Sequence, residues 1–168
     1  RSAFQRHRRR ILLVGGGAAG LLSVALTALA VRWSRLPVPR GILRTIEGPA
    51  GAGRGMYNLG GYRKVLGRSE VTIGRGRRCD IRLRGATVQP QHARIVASMK
   101  RKRLHTNGRV RTVNRPRYFL ENLSQGPCKV NGCPLEKGQK MRLFDHAKIR
   151  IGDYAFQYRN RGARREGG

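Results

Sequence analysis

From residue 41 onward, apolar and polar residues alternate in short runs broken by glycine, a pattern that predicts strands rather than helices. The clearest case lies around residues 147–158. With Gly152-Asp153 as a two-residue loop, Ile151 faces Tyr154, Ile149 faces Phe156 and Ala147 faces Tyr158. Those six residues then share one side, while Arg150, Ala155 and Gln157 take the other, as in a half-buried antiparallel pair. Further runs are Ile42 to Glu47 before a glycine-rich turn at 48–55, Val71-Thr72-Ile73, Ile81-Arg82-Leu83, Ala93-Arg94-Ile95 and Tyr118 to Leu123. Lys129-Val130 leads into an Asn131-Gly132 hairpin turn, which sets Val130 opposite Cys133 and Cys128 opposite Leu135. No stretch after residue 40 sustains the roughly 3.6-residue apolar repeat of a helix. The pattern predicts a sheet-on-sheet domain over residues 41–160.

The N-terminal part is different. Residues 11–31 carry no charge, and their only hydroxyls are Ser23 and Thr27. As a helix they would span about 31 Å, the thickness of a bilayer's hydrocarbon core. Arg6, Arg8, Arg9 and Arg10 precede the segment, and Arg32, Trp33 and Arg35 follow it as interfacial anchors. The expectation is one transmembrane helix over 11–33, behind a basic flank at 1–10. A secretory leader with a cleavage site near Ala28-Leu29-Ala30 is the alternative, although the apolar stretch is longer than such leaders carry. Arginines on both sides leave the orientation undecided by charge. Residues 34–40, with Pro37 and Pro39, read as a stiff linker, and the charged tail 161–168 as disordered. Arg1 in place of Met fits a trimmed chain or part of a longer one.

Composition adds a strong charge bias. The 37 Lys and Arg against 8 Asp and Glu give a formal net charge of +29 over 168 residues. A field of that size favours polyanions: nucleic acid, anionic lipid or phosphorylated protein. The 23 glycines and 7 prolines suit an all-β domain with many tight turns. Cys79, Cys128 and Cys133 are too few and too irregular for a disulfide framework and read as free thiols. His7, His92, His105 and His146 share no metal-ligand spacing, no G-x-x-x-x-G-K-S/T loop occurs, and no acid–base pair stands out. Neither an enzyme, a cofactor, a metal nor a small-molecule substrate is expected.

Several pieces then fall in an ordered series: Val71-Thr72-Ile73-Gly74-Arg75, Cys79-Asp80-Ile81-Arg82-Leu83, and Val88-Gln89-Pro90-Gln91-His92-Ala93-Arg94-Ile95. They resemble the signature of the forkhead-associated (FHA) family, in which I-G-R is followed by D-I-x-L and V-S-x-x-H-A. Leu120-Glu121-Asn122-Leu123-Ser124, Val130-Asn131-Gly132 and the closing hairpin resemble its later elements. The resemblance implies an all-β sandwich of two antiparallel sheets with eleven strands, whose loops at one end bind phosphothreonine peptides. Arg75 sits where the family places its phosphate-facing arginine, with Arg77 and Arg78 in the same loop. His92 matches the histidine that braces the neighbouring loop. The family's phosphate-binding serine is Gln89 here, its peptide-gripping asparagine is Gly126, and its threonine is Cys128. Gln89 can still donate through its amide, and Gln125 lies beside the missing asparagine. Asn131 is retained, and in such a hairpin it equally serves its tolerance of positive φ.

Two functions follow as alternatives. One is a membrane-tethered module that recruits a threonine-phosphorylated protein, with its domain on the cytosolic face where protein phosphorylation mainly occurs. The other is a degenerate FHA fold serving as a phosphate-independent scaffold subunit of a membrane or other large assembly. Residues 98–117 bear on both, because they carry eight Lys and Arg and no acid around a Thr106-Asn107-Gly108 turn. This stretch is expected to be a protruding β-ribbon or a mobile loop. Lys100, Arg101, Lys102, Arg103, Arg109 and Arg111 are its candidate contacts to an anionic membrane surface. Nucleic acid ranks lower, because no aromatic residue is interleaved for base stacking.

Overall fold

The computed structural model of the protein describes residues 23–31, 37–50, 55–62, 69–106 and 108–160. The chain divides into two compact units, Arg1–Leu36 and Pro37–Gly168. In the first, residues 23–31 form an α-helix with every side chain exposed. Among the described residues no helix is long and apolar enough to cross a membrane. Most of the expected span 11–33 lies outside the described residues, as do the basic flank 1–10 and the tail 161–168, and the expected linker is described only from Pro37.

The second unit is built from eleven described strands: β1 (Ile42–Glu47), β2 (Met56–Asn58), β3 (Glu70–Gly74), β4 (Ile81–Arg82), β5 (Ala93–Thr106), β6 (Arg109–Asn122), β7 (Cys128–Val130), β8 (Cys133–Pro134), β9 (Lys140–Leu143), β10 (Lys148–Ile151) and β11 (Tyr154–Arg159). They form a six-stranded sheet in the order β2-β1-β11-β10-β7-β8 and a five-stranded sheet in the order β4-β3-β5-β6-β9. This is the two-sheet all-β architecture that the alternation predicts. One pair departs from the antiparallel expectation, since β4 runs parallel to β3, with Ile73 beside Ile81. The cause is local. After Gly74 the chain loops out and returns alongside β3, where the Asp80 carboxylate accepts from both the backbone N–H and the hydroxyl of Thr72, at 2.9 and 2.8 Å.

Alternation puts the core between the sheets. Leu43, Ile73, Ile95, Leu120, Ile149, Ile151, Phe156 and Tyr158 are all fully buried, and each such side chain is worth about 1.5–3 kcal/mol. The β10–β11 hairpin has the expected register, Ile149 opposite Phe156 and Ile151 opposite Tyr154. Tyr154 stacks on Phe156 with ring centroids 5.9 Å apart. Tyr158 fits the apolar interior because its hydroxyl donates to the Arg40 carbonyl at 2.8 Å. At the β7–β8 turn, Asn131 and Gly132 have φ of 51° and 85°, the two left-handed residues of a tight hairpin turn. The three cysteines are free.

β5 and β6 pair without a break from Ala93 opposite Asn122 to Thr106 opposite Arg109. The third-strand partners stop near their bases, β3 at Val96 and β9 at Tyr118. Residues 98–117 therefore form a two-stranded ribbon that projects about 30 Å beyond the sandwich at ~3.3 Å per residue. Of the two forms expected for this basic stretch, the ribbon is the one adopted.

Candidate functional site

Four connections converge at one end of the sandwich: 75–80 after β3, 83–92 after β4, 123–127 after β6, and the Gly152-Asp153 turn. Backbone bonds stitch the first two together, with Arg75 N–H donating to the Gln89 carbonyl and Gly76 N–H to the Pro90 carbonyl, each at 2.9 Å. The Cys79 thiol donates to the same Pro90 carbonyl at 2.9 Å. Such close approach requires glycine. A Cβ on Gly74 would lie 2.4 Å from the Pro90 oxygen, and one on Gly76 2.8 Å from it.

His92 joins the third connection. Its side chain is fully buried, Nδ1 accepts from the Gln89 N–H at 3.1 Å, and Nε2 lies 3.2 Å from the Pro127 carbonyl. With Nδ1 an acceptor, Nε2 carries the proton and donates to Pro127. Burial holds the imidazole below its ordinary pKa, against the opposing pull of the Pro127 bond. The ring is thus a neutral two-ended brace between the Gln89 and Pro127 loops. Gly152 N–H donates to the same Pro127 carbonyl at 3.0 Å. The Thr87 hydroxyl donates to the Asp153 carboxylate at 2.7 Å. The Tyr154 hydroxyl donates to the Arg84 carbonyl at 2.6 Å and accepts from the Arg84 N–H at 3.2 Å. The loop before β5 is therefore clamped from three sides.

The fold brings Arg75, Arg77, Arg78, Gln89, Gln125 and Gly126 onto connections of this one end, all joined through His92 and its neighbours. The arginines, Gln89 and Gln125 are exposed, and Gly126 is half-buried. Arg82 and Arg84 add two more exposed cations on the adjoining segment. The nearby acids already have partners, Asp80 bonding Thr72 and Asp153 bonding Thr87. The rim is net positive, and an ionised phosphate with its three acceptor oxygens needs such fixed cations and donors.

Two resemblance-derived positions do not join this rim. Cys128 starts β7 with its side chain in the core, 2% exposed, and burial pushes its thiol up to about 12. Asn131 follows the other end of β7, and its carboxamide oxygen accepts from Lys148 N–H at 2.8 Å. Its task there is to close the turn. The ribbon cations Lys100, Arg101, Lys102, Arg103, Arg109 and Arg111 lie toward the opposite end of β5 and β6, remote from Arg75. A separate groove of about 410 Å³ opens on the outer face of the six-stranded sheet, beside Ile46, Lys129, Lys148, Arg150 and Ala155. Among the described residues no cluster of three or more His, Cys, Asp or Glu could hold a metal.

Thr87, Pro90, Pro127, Asp153 and Tyr154 were not among the candidates read from sequence, yet they position the loops. Only Gly152-Asp153 carried a local signal, as a turn; the others act through carbonyl or hydroxyl contacts between distant segments.

Fold and rim together define a β-sandwich with a loop-built, cationic end. Residues 71–152 match the family model of the FHA domain, and the chain therefore contains an FHA domain. Among solved structures, the MEK1 FHA domain in complex with a HOP1 phosphothreonine peptide is similar at a TM-score of 0.51 and 12% identity, covering 74% of this chain and 99% of that one. The FHA domain of an Arabidopsis thaliana hypothetical protein gives a TM-score of 0.50 at 18% identity, covering 73% and 86%. Identities this low speak for a shared fold alone. None of the curated proteins matches the chain.

Proposed function

We propose that the chain is a membrane-tethered protein-recognition module whose loop end receives a phosphothreonine-bearing segment of a partner protein. The observation that carries this reading is the fused rim. Arg75 N–H is bonded to the Gln89 carbonyl, and Gln89 N–H is held by the His92 brace. An arginine and an amide donor thus project from a pre-organised backbone, and rigid placement lowers the cost of binding. In this reading Arg75 carries the phosphate, with Arg77, Arg78 and Gln89 assisting, and Gln125 beside Gly126 contacts the flanking peptide. FHA domains are protein-interaction modules, which argues against catalysis. The MEK1 domain's phosphothreonine ligand supports the substrate class by analogy only.

The test is a titration with phosphothreonine peptides and their unphosphorylated counterparts. Phosphate-dependent binding that Arg75→Ala lowers about 100-fold is the expected result. Phosphate-blind binding would establish the other reading, a scaffold subunit without phosphate recognition. One observation favours that alternative: Gly126 and buried Cys128 offer the peptide no side-chain donors where the family has two.

The tether rests on the uncharged stretch 11–31 and its flanking arginines. The full chain should stay with membranes through an alkaline wash. Its release into the supernatant would remove the tether, and with it the placement of the domain at the cytosolic membrane face.

A further inference from the structure

The unbroken β5–β6 register sorts the ribbon's charges by face. Residues paired across an antiparallel ladder point to the same side, and side chains alternate along each strand. Ala97 and Tyr118 are paired and buried, so the pairs in step with them, Met99 with Pro116 and Arg101 with Asn114, continue the core side. The opposite side carries Lys100 with Arg115, Lys102 with Val113, Leu104 with Arg111, and then Arg109. Arg117 belongs to this side also. Six of the eight ribbon cations therefore share one face, and only Arg101 and Arg103 take the other.

That face runs on from the outer surface of the five-stranded sheet. There Lys140 and Arg142 lie on the same side, opposite Glu121 and Phe119. At the sheet, Glu121 balances the charge by pairing with Arg94 at 2.7 Å and with Lys140 at 3.5 Å. Residues 98–117 contain no acid at all. Like charges directly opposite, as at Lys100 and Arg115, weaken a ladder, and a two-stranded ribbon is marginal alone in water. An anionic partner spread along the face would relieve both.

We propose that this face of the ribbon docks on an anionic lipid bilayer surface. Six of the eight ribbon cations lie on one side, the side a planar partner would meet. Among the cations of this face lie aliphatic Leu104 and Val113, both half-buried, with exposed Ser98 at the base. Within the ribbon, residues 98–117, this face offers no aromatic for base stacking and no Asn or Gln for base edges. The inference is independent of phosphothreonine binding and of the N-terminal tether, because its test omits the tether. The chain from Pro37 onward holds every buried side chain found among the described residues and so has its own core.

The experiment measures partitioning of residues 37–168 onto vesicles of phosphatidylcholine alone and of phosphatidylcholine mixed with phosphatidylglycerol. Two double variants remove equal charge from one strand segment on opposite faces. Lys100→Ala with Lys102→Ala should lower partitioning onto the anionic vesicles on the order of 30-fold. Arg101→Ala with Arg103→Ala should lower it less than about threefold, because those side chains face away from the headgroups. All four positions are exposed, so thermal unfolding should be unchanged in both variants. Equal losses from the two pairs would overturn the proposal, as would equal partitioning onto neutral and anionic vesicles. Tighter, equally face-dependent binding to duplex DNA would reassign the face to nucleic acid and overturn the lipid assignment.

Discussion

Gly126 packs so closely on His92 that a Cβ built on it would lie 2.6 Å from Cε1 of the ring. The glycine at the position where the resemblance expects an asparagine is therefore fitted to its surroundings here. It lets the 123–127 connection approach near enough for the Pro127 carbonyl to reach Nε2. Gly126→Ala should destabilise the domain by about 1–3 kcal/mol through overpacking, read as a lower urea midpoint with an unchanged slope. Gly126→Asn meets the same contact, so reinstating the family residue should weaken partner binding. A Gly126→Asn protein that is as stable and binds more tightly would show that the loop repacks freely.

The same brace predicts how stability depends on pH. Burial depresses the His92 pKa below its ordinary 6.5, so the unfolded chain takes up this proton first as pH falls. The stability the neutral ring contributes is complete above pH 6.5 and is lost as pH falls from there through the folded value. Glu121 adds a second, lower step. Its bond to Arg94 holds its carboxyl below the ordinary 4.5, so that contribution is complete above 4.5 and is lost as pH falls through the depressed value. Urea midpoints across the acid range should therefore fall in two stages. NMR titration of the His92 ring should place its folded pKa under 6.5, and a value above 6.5 would refute the brace.

What could be read from the chain alone follows from which residues face water on one side only. The β10–β11 hairpin alternates cleanly because Ile149, Ile151, Phe156 and Tyr158 enter the core while Arg150 does not, so even its register was legible. β5 and β6 are visible only at their bases. From Ser98 and Arg117 outward both faces are solvated, the apolar period vanishes, and only the charge run and the turn residues remain as signals. β2, β8 and β9 are two to four residues long, too short to show a period. The candidate site divides in the same way. Arg75 and His92 were found through motif spacing, whereas the fit of Gly74 against Pro90 and of Gly126 against His92 joins segments that sequence order does not bring together.

Asn131 offers the sharpest separation of structural from recognition roles. It holds φ at 51° and caps Lys148 N–H at 2.8 Å, while the other end of β7 carries the connection that His92 braces. Asn131→Gly keeps the backbone conformation and loses only the cap, so it should cost about 0.5–1.5 kcal/mol. Asn131→Ala adds left-handed strain of about 1–2 kcal/mol and should be the less stable of the two. Neither should change affinity for a phosphothreonine peptide at temperatures where both remain folded, whereas Arg75→Ala should change affinity and leave the unfolding midpoint in place. The comparison needs one unfolding series and one titration series on three variants. A fall in peptide affinity for Asn131→Gly larger than its small loss of stability would return Asn131 to the binding rim.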